Sequence, residues 1–527
     1  MLPIFRYPFV LIDGYFCRKK DFLTLYHSRA WVLITTLLLA LPWLNPFAPG
    51  PMPAMVPWLV ALASVAGLLG VQAIFRSAWP PANGPGWAHA AAYGWLLAGA
   101  LSSAMGIVQY FGWSAELSPW VNTTPLGEAF ANLRQRNQFA SLVHIALAAL
   151  LWWAAQVRPA FAAPSERTQA VARTMGLAVL LGIGNAVSSS RTGFLQTGLV
   201  VLLVAVWGGL RQPAVRRVLL VFVLAYALAL AVLPIVVGLD TGAWARLREG
   251  DALCSSRLTL WHNVLTLIGQ HPWLGWGWGE LDYAHYIHLY DGPRFCDILD
   301  NAHNLPLHLA VELGVPVAVA VCGLLGWWVV RGKPWAETDA TRRLAWTVLA
   351  VVGLHSLLEY PLWYGPFQIA GGLCVMLLWR APQAIYIKNR ALAHILPALA
   401  AMFLIATCIY TAWDYYRTSQ IYLAPAARGL AYQDHPLDKA RSTWLFQHQV
   451  QFADLSITPL SRANALAQHQ QALDLLHFSP EHRVIERVID SALLLKLAGV
   501  ARFHMLRFKA AFPADYAIWL ADRSPKQ

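Results

Sequence analysis

Apolar residues run in long blocks along this chain rather than alternating with polar ones. A helix needs about 20 such residues to cross a hydrocarbon core. Eleven blocks read as spans on that basis: 29–45, 54–75, 88–111, 138–157, 172–189, 193–210, 217–239, 304–330, 342–360, 362–380 and 391–412. A twelfth, short or re-entrant segment fits around 110–137. Two stretches break the pattern. One is a polar loop at about 240–303, ending in Asp300-Asn301-Ala302-His303-Asn304. The other runs from about Trp413 to Gln527, where charges, Gln and His rise. Apolar positions there recur at helical spacing, as in Ala465, Ala472, Leu473 and Leu476, then Ile485, Val488, Ile489 and Leu493. The pattern predicts an all-α polytopic membrane domain over 1–412, with a large external loop at 240–303, and an external helical domain over 413–527.

Composition fixes the class. Hydrophobic residues make up 57% of the chain and charged residues 13%, about half the charged share of a soluble domain. The 25 tryptophans fit belts at the two membrane interfaces. A net charge of +12 would point to nucleic acid in a soluble protein; here its distribution explains it better. With the N-terminus cytoplasmic, nineteen Lys and Arg fall in cytoplasmic segments and seven in external loops before the last span. That bias supports the orientation, and an odd number of spans puts the C-terminal tail outside. The first apolar run follows a basic stretch and lacks a small-residue cleavage site, so no cleavable signal peptide is expected.

The seven external basic residues are all arginines: Arg134, Arg136, Arg191, Arg246, Arg248, Arg257 and Arg294. Orientation does not demand this. Arginine binds phosphate bidentately and stays charged at any relevant pH. Cys254 and Cys296 are the cysteines of the large loop. A bridge there would close a loop of about 40 residues, and two unpaired thiols are the alternative.

No phosphate-binding glycine loop, dinucleotide fingerprint, HExxH or CxxC motif occurs. His27, His303, His308 and His355 lack metal-ligand spacing, and Asp297 and Asp300 would hold a cation only weakly. Chemistry without metal or cofactor is therefore expected. An ionisable histidine at the mouth of a membrane bundle is a functional candidate by default. Three polar clusters accompany it: Asn132–Gln138 before a span, Ser188-Ser189-Ser190-Arg191-Thr192-Gly193 between two spans, and His355–Tyr364 with Glu359, Tyr360 and Tyr364 around a proline break.

Together with Ser255-Ser256-Arg257-Leu258, Trp261, Pro272-Trp273-Leu274-Gly275-Trp276-Gly277 and Asn301–Asn304, these clusters resemble a superfamily over roughly residues 125–380. It comprises bacterial O-antigen ligases, O-antigen polymerases and protein O-oligosaccharyltransferases. The Gln-Arg-Asn-Gln and Glu-Tyr-Pro-Leu-Trp-Tyr segments look most like the protein-glycosylating branch. The resemblance implies a GT-C-like fold in the bacterial inner membrane. It also implies a site on the periplasmic side and an undecaprenyl-diphosphate-linked glycan as donor. The acceptor would be a hydroxyl on lipid A-core sugar or on a pilin Ser or Thr. By resemblance, His303 is the catalytic base. Arg136, Arg191 and Arg257 would bind the donor diphosphate. Gln138, Asn304, Glu359, Tyr360 and Tyr364 would support substrate binding. Displacement of a lipid diphosphate by a base-activated hydroxyl inverts the anomeric centre. A polymerase joining repeat units shares the donor site, and a lipid-linked glycan flippase is the non-enzyme alternative.

Overall fold

In the computed structural model, residues 9–12, 15–75, 85–156, 164–239, 253–379 and 392–523 are described. A two-stranded antiparallel hairpin, β1 (Phe9–Ile12) and β2 (Tyr15–Arg18), leads directly into α1 (Lys19–Leu44). Among the described residues, everything after it is helical or loop. α2 (Met55–Ile74), α3 (Pro85–Tyr110), α4 (Arg136–Gln156), α5 (Pro164–Val187), α6 (Arg191–Val206) and α7 (Pro213–Val236) follow in order. Among the described residues, seven helices are long and apolar enough to cross a membrane, and three shorter apolar helices accompany them. The chain is thus an all-α polytopic membrane protein.

α4 is the axis of the bundle. It packs against α3, α5 and α6, and 89% of its apolar window is buried. Small residues let neighbours close on it: a Cβ at Gly99 of α3 would lie 2.4 Å from the Ala146 methyl. α12 (Ala340–Ser356) also packs on α4, and α13 (Gly365–Leu378) returns beside α12. The last apolar helix, α14 (Leu392–Ser419), lies along α2.

Two expectations are corrected. The stretch 110–137 is no re-entrant helix: it holds a 3₁₀ turn at Ser114–Leu117 and irregular loop up to α4. Gln109 ties that loop down, its side-chain amide bonding Asn122, Phe130 and Ala131 backbone groups. The span at 304–330 is two helices, α10 (Leu305–Leu313) and α11 (Val315–Gly332), broken at Gly314. The Pro272–Gly277 motif explains the break. Its backbone clasps the junction: Trp276 N–H donates to Val311 O (2.9 Å), Gly277 N–H to Glu312 O (3.0 Å) and Val315 N–H to Pro272 O (2.8 Å). Gly314 has φ 88°, and a Cβ there would meet Trp273 O at 2.2 Å. Gly314→Ala therefore combines a Gly-only conformation with a backbone clash. We expect it to cost about 3 kcal/mol, read as a lowered melting temperature of the purified protein.

The polar loop is also more ordered than its composition implies. It contains α8 (Arg257–Gln270) and α9 (Leu281–Ile287), and Cys254 and Cys296 form a disulfide. α9 docks onto the terminal helices α16 (Gln447–Ile457), α17 (Ala465–Leu476), α18 (His482–Leu494), α19 (Ala498–Ala511) and α20 (Pro513–Arg523), which follow the single-turn α15 (Pro436–Ala440). Tyr286 is buried in their apolar core, its hydroxyl 2.8 Å from His504 Nδ1. Arg507 Nε donates to Ile287 O (2.7 Å), and His477 Nδ1 lies 2.7 Å from Glu280 Oε2.

Asp282 on α9 makes this joint pH-sensitive. Burial, and then the nearby Asp300 and Glu280 charges, push its carboxyl up to about 7, although the Tyr283 N–H opposes the rise. The folded value lies above the unfolded one of about 3.9, so the folded state binds the proton more tightly. Stability falls as pH rises from about 4 to about 7 and then levels off. Asp282→Asn should remove that slope and raise the melting temperature at pH 8 by about 2–8 °C, with little change at pH 4. Melts at the two pH values check this.

Candidate active site

The site is built where helix N-termini meet. Three arginines singled out in the sequence, Arg136, Arg191 and Arg257, are the first residues of α4, α6 and α8. A cation at a helix N-terminus opposes the helix dipole, so this repeated placement is unfavourable for the helices themselves. It makes sense if an anion is to be held there. Local sequence explains why the helices begin where they do. Ser190 Oγ accepts from Gly193 N–H (3.0 Å), Ser256 Oγ from Thr259 N–H (3.2 Å) and Asn304 Oδ1 from Leu307 N–H (3.1 Å). Each is an N-cap.

Glu359 joins these ends. It sits in the connection between α12 and α13, just before a 3₁₀ turn at Pro361–Trp363, with a side chain 8% exposed. One carboxylate oxygen, Oε2, lies 2.5 Å from His303 Nδ1. The other, Oε1, accepts from the Arg257 guanidinium and from Asn137 Nδ2 (3.2 Å). Burial alone would raise its pKa. The hydrogen bond and charge of His303, with Arg257, outweigh burial and hold the carboxyl below its usual range.

Asn137 extends the network. Its Oδ1 accepts from Ser190 Oγ (2.7 Å), the same hydroxyl that caps α6 in front of Arg191. One amide therefore ties the Arg191 turn to the Glu359 carboxylate. Asn137 was read as part of the polar Asn132–Gln138 cluster but, unlike Arg136 and Gln138, was given no role of its own. It stands directly between those two residues in the polar run, which was the signal for it.

His303 has φ 49°, a left-handed conformation that a histidine adopts at a cost. Its N–H donates to Asn301 Oδ1 (2.8 Å), and Trp261 Nε1 donates to Ala302 O (3.1 Å), pinning the segment to α8. The Tyr360 ring meets the imidazole edge-on at 5.0 Å, and Tyr364 stacks on Tyr360 at 5.8 Å. Tyr364 is hydrogen-bonded to both Tyr360 and Gln138. The imidazole side chain is 18% exposed. With Nδ1 turned to Glu359, Nε2 is the nitrogen left to exchange a proton with another molecule.

The structure thus brings His303, Glu359, Arg257, Gln138, Tyr360 and Tyr364 together. Arg191 is exposed at the adjoining turn. Arg136 is engaged elsewhere, 2.6 Å from Glu128. Asn304 spends both side-chain groups on the fold, capping α10 and donating from Nδ2 to Leu357 O (3.0 Å). It aligns His303 with the Glu359 loop rather than facing outward. Arg294 is bound to His285 O and His288 O, and Arg246 and Arg248 lie outside the described residues. No group of three or more His, Cys, Asp or Glu suited to a metal ion occurs among the described residues.

Three family models match the chain. One, described as O-antigen ligase, matches residues 176–322. A second, described as protein glycosylation ligase, matches 129–154. A third, the C-terminal part of a virulence factor membrane-bound polymerase, matches 343–526. Two curated proteins of Acinetobacter baylyi are similar. A general O-oligosaccharyltransferase is 28% identical over 153 residues, covering 25% of each chain. A ComP-specific O-oligosaccharyltransferase is 24% identical over 255 residues, covering 47% of this chain and 43% of the relative. The alignments thus span less than half the length of either relative.

Proposed function

We propose, from the premise that the chain belongs to the superfamily of bacterial O-antigen ligases, O-antigen polymerases and protein O-oligosaccharyltransferases, that it is a glycan ligase. It transfers a saccharide from undecaprenyl diphosphate to a hydroxyl on the periplasmic face of the bacterial inner membrane. The observation that carries this is the convergence of arginine-bearing helix N-termini on one His303–Glu359 pair. The donor already has a good leaving group. Arg191 and Arg257, with Arg136 at the rim, would take up the charge that develops on the departing diphosphate. Glu359 holds the imidazole so that Nε2 can accept the proton of the attacking hydroxyl. That oxygen bonds to the anomeric carbon as the bond to the diphosphate breaks, and the centre inverts. No covalent glycosyl-enzyme is needed, nor a metal or nucleotide.

A protein Ser or Thr is the favoured acceptor, since the Asn132–Gln138 segment lies inside the protein-glycosylation match and both relatives are named O-oligosaccharyltransferases, one of them ComP-specific. Lipid A-core sugar uses the same donor site. The polymerase match over 343–526 supports a second reading, in which repeat units are joined. A strain deleted for the gene separates these readings when pilin mobility and the lipopolysaccharide ladder are run side by side. A shifted pilin with a normal ladder is the expected result. Loss of the ladder over an intact core would mean a lipid A-core ligase, and a ladder reduced to a single repeat would mean a polymerase.

A further inference from the structure

At the far end of α12 from His303, the same helices enclose a second site. α12 has 17 residues, so its ends are about 25 Å apart. A cleft of about 900 Å³ opens there between the C-terminal end of α11, the start of α12 and the end of α13. Almost none of α11 is covered by protein, so one wall of the cleft is a lipid-facing helix. Trp327 and Trp379 line its mouth, 62% and 61% exposed. Trp328 packs on Trp346 deeper in, with ring centroids 5.0 Å apart.

The cations in the cleft fall into two groups. Arg342 is committed to the fold, donating to Glu337 Oε2 (2.6 Å) and to Leu378 O (2.8 Å). That pairing also neutralises the one carboxylate of the cleft. Arg331 and Lys333 are exposed, line the same cavity and have no ion-pair partner among the described residues. Lys333 is held at φ 47° by the turn that ends α11, with its N–H on Val329 O and Val330 O. Trp346 is 5% exposed, and its indole N–H has no hydrogen-bond partner among the described residues, a buried donor of the kind folded proteins normally satisfy.

We infer that this cleft binds the phosphate ester of an anionic phospholipid. Arg331 and Lys333 hold the phosphate, Trp346 Nε1 donates to an ester oxygen, and the acyl chains lie along Trp327, Val375 and Trp379. The chemistry matches the general behaviour of basic pockets between membrane helices, with aromatic rings at headgroup depth. A free phosphate ion offers the same charge without the acyl chains, so the test must separate the two.

The full-length protein, delipidated in detergent, is titrated with phosphatidylglycerol, phosphatidylcholine or inorganic phosphate, and retained ligand is read by native mass spectrometry. Phosphatidylglycerol should be retained about tenfold more tightly than phosphatidylcholine. Arg331→Gln with Lys333→Gln should reduce its retention by about 25-fold, at about fivefold for each cation removed near a membrane surface. Trp346→Phe should weaken it less. Melting temperature and glycan transfer should be unchanged in the Arg331 and Lys333 variants; if the double variant melts early, the single ones are compared instead. Equal retention of the two lipids, or undiminished retention by the variants, would overturn the inference. Displacement of phosphatidylglycerol by millimolar inorganic phosphate would overturn the lipid assignment in favour of a free-anion site.

Discussion

His303→Ala should lower glycan transfer by about 10²–10⁴-fold, the usual worth of general-base help, while leaving the protein folded. The loop that carries the imidazole is held independently of it, by His303 N–H on Asn301 Oδ1 and Trp261 Nε1 on Ala302 O, so the backbone stays in place without it. One change accompanies the loss. Glu359 loses its partner on Oε2 but keeps Arg257 and Asn137 on Oε1, which holds the carboxylate in place. Donor affinity should therefore change little, because the arginines remain. The signature is a fall in kcat with a nearly constant KM for the lipid-linked donor. It is measured with purified protein and matched melting curves. Near-wild-type transfer would remove His303 from the role of base.

Glu359→Ala should be about as damaging to turnover, and it should also damage binding. In a base oriented by a carboxylate, loss of the carboxylate costs up to about 10⁴ in kcat because the imidazole loses its tautomer and direction. Here the same side chain also positions Arg257 and, through Asn137 and Ser190, the turn that carries Arg191. KM for the donor should then rise together with the fall in kcat, unlike His303→Ala. Glu359→Gln keeps the shape and loses the charge. It should retain Asn137 and Arg257 contacts only in part and fall between wild type and Glu359→Ala. A Glu359→Ala enzyme with kcat reduced and KM untouched would mean that Arg257 and Arg191 are held in place without it.

Most of the fold could be read from hydrophobic blocks, since each of the eleven proposed spans meets a helix. The broken span was missed although Gly314 was in view, because a glycine inside an apolar run carries no sign of what it packs against. The partner was the backbone of Pro272–Gly277, about 40 residues earlier. α8 was legible in principle: Leu260, Val264, Leu267 and Ile268 recur at helical spacing and are all buried. The charged residues around it drew attention to the loop's polarity instead. For the site, types and signs were visible and pairings were not. Glu359 finds His303, Arg257 and Asn137 at separations of 56, 102 and 222 residues, distances over which one sequence holds no record of contact. Arg136 shows the same limit, because nothing in the sequence marked Glu128 as the residue that lies 2.6 Å from it.

The central claim is that the convergent helix ends catalyse transfer rather than passage of the glycan through the membrane. Purified protein reconstituted in liposomes with an undecaprenyl-diphosphate glycan and a Ser-containing acceptor tests it directly. Glycosylated acceptor should appear one-for-one with released undecaprenyl diphosphate, with an anomeric configuration opposite to that of the donor, and His303→Ala liposomes should form neither. Donor that changes leaflet without any product, equally in wild type and His303→Ala, would contradict the account.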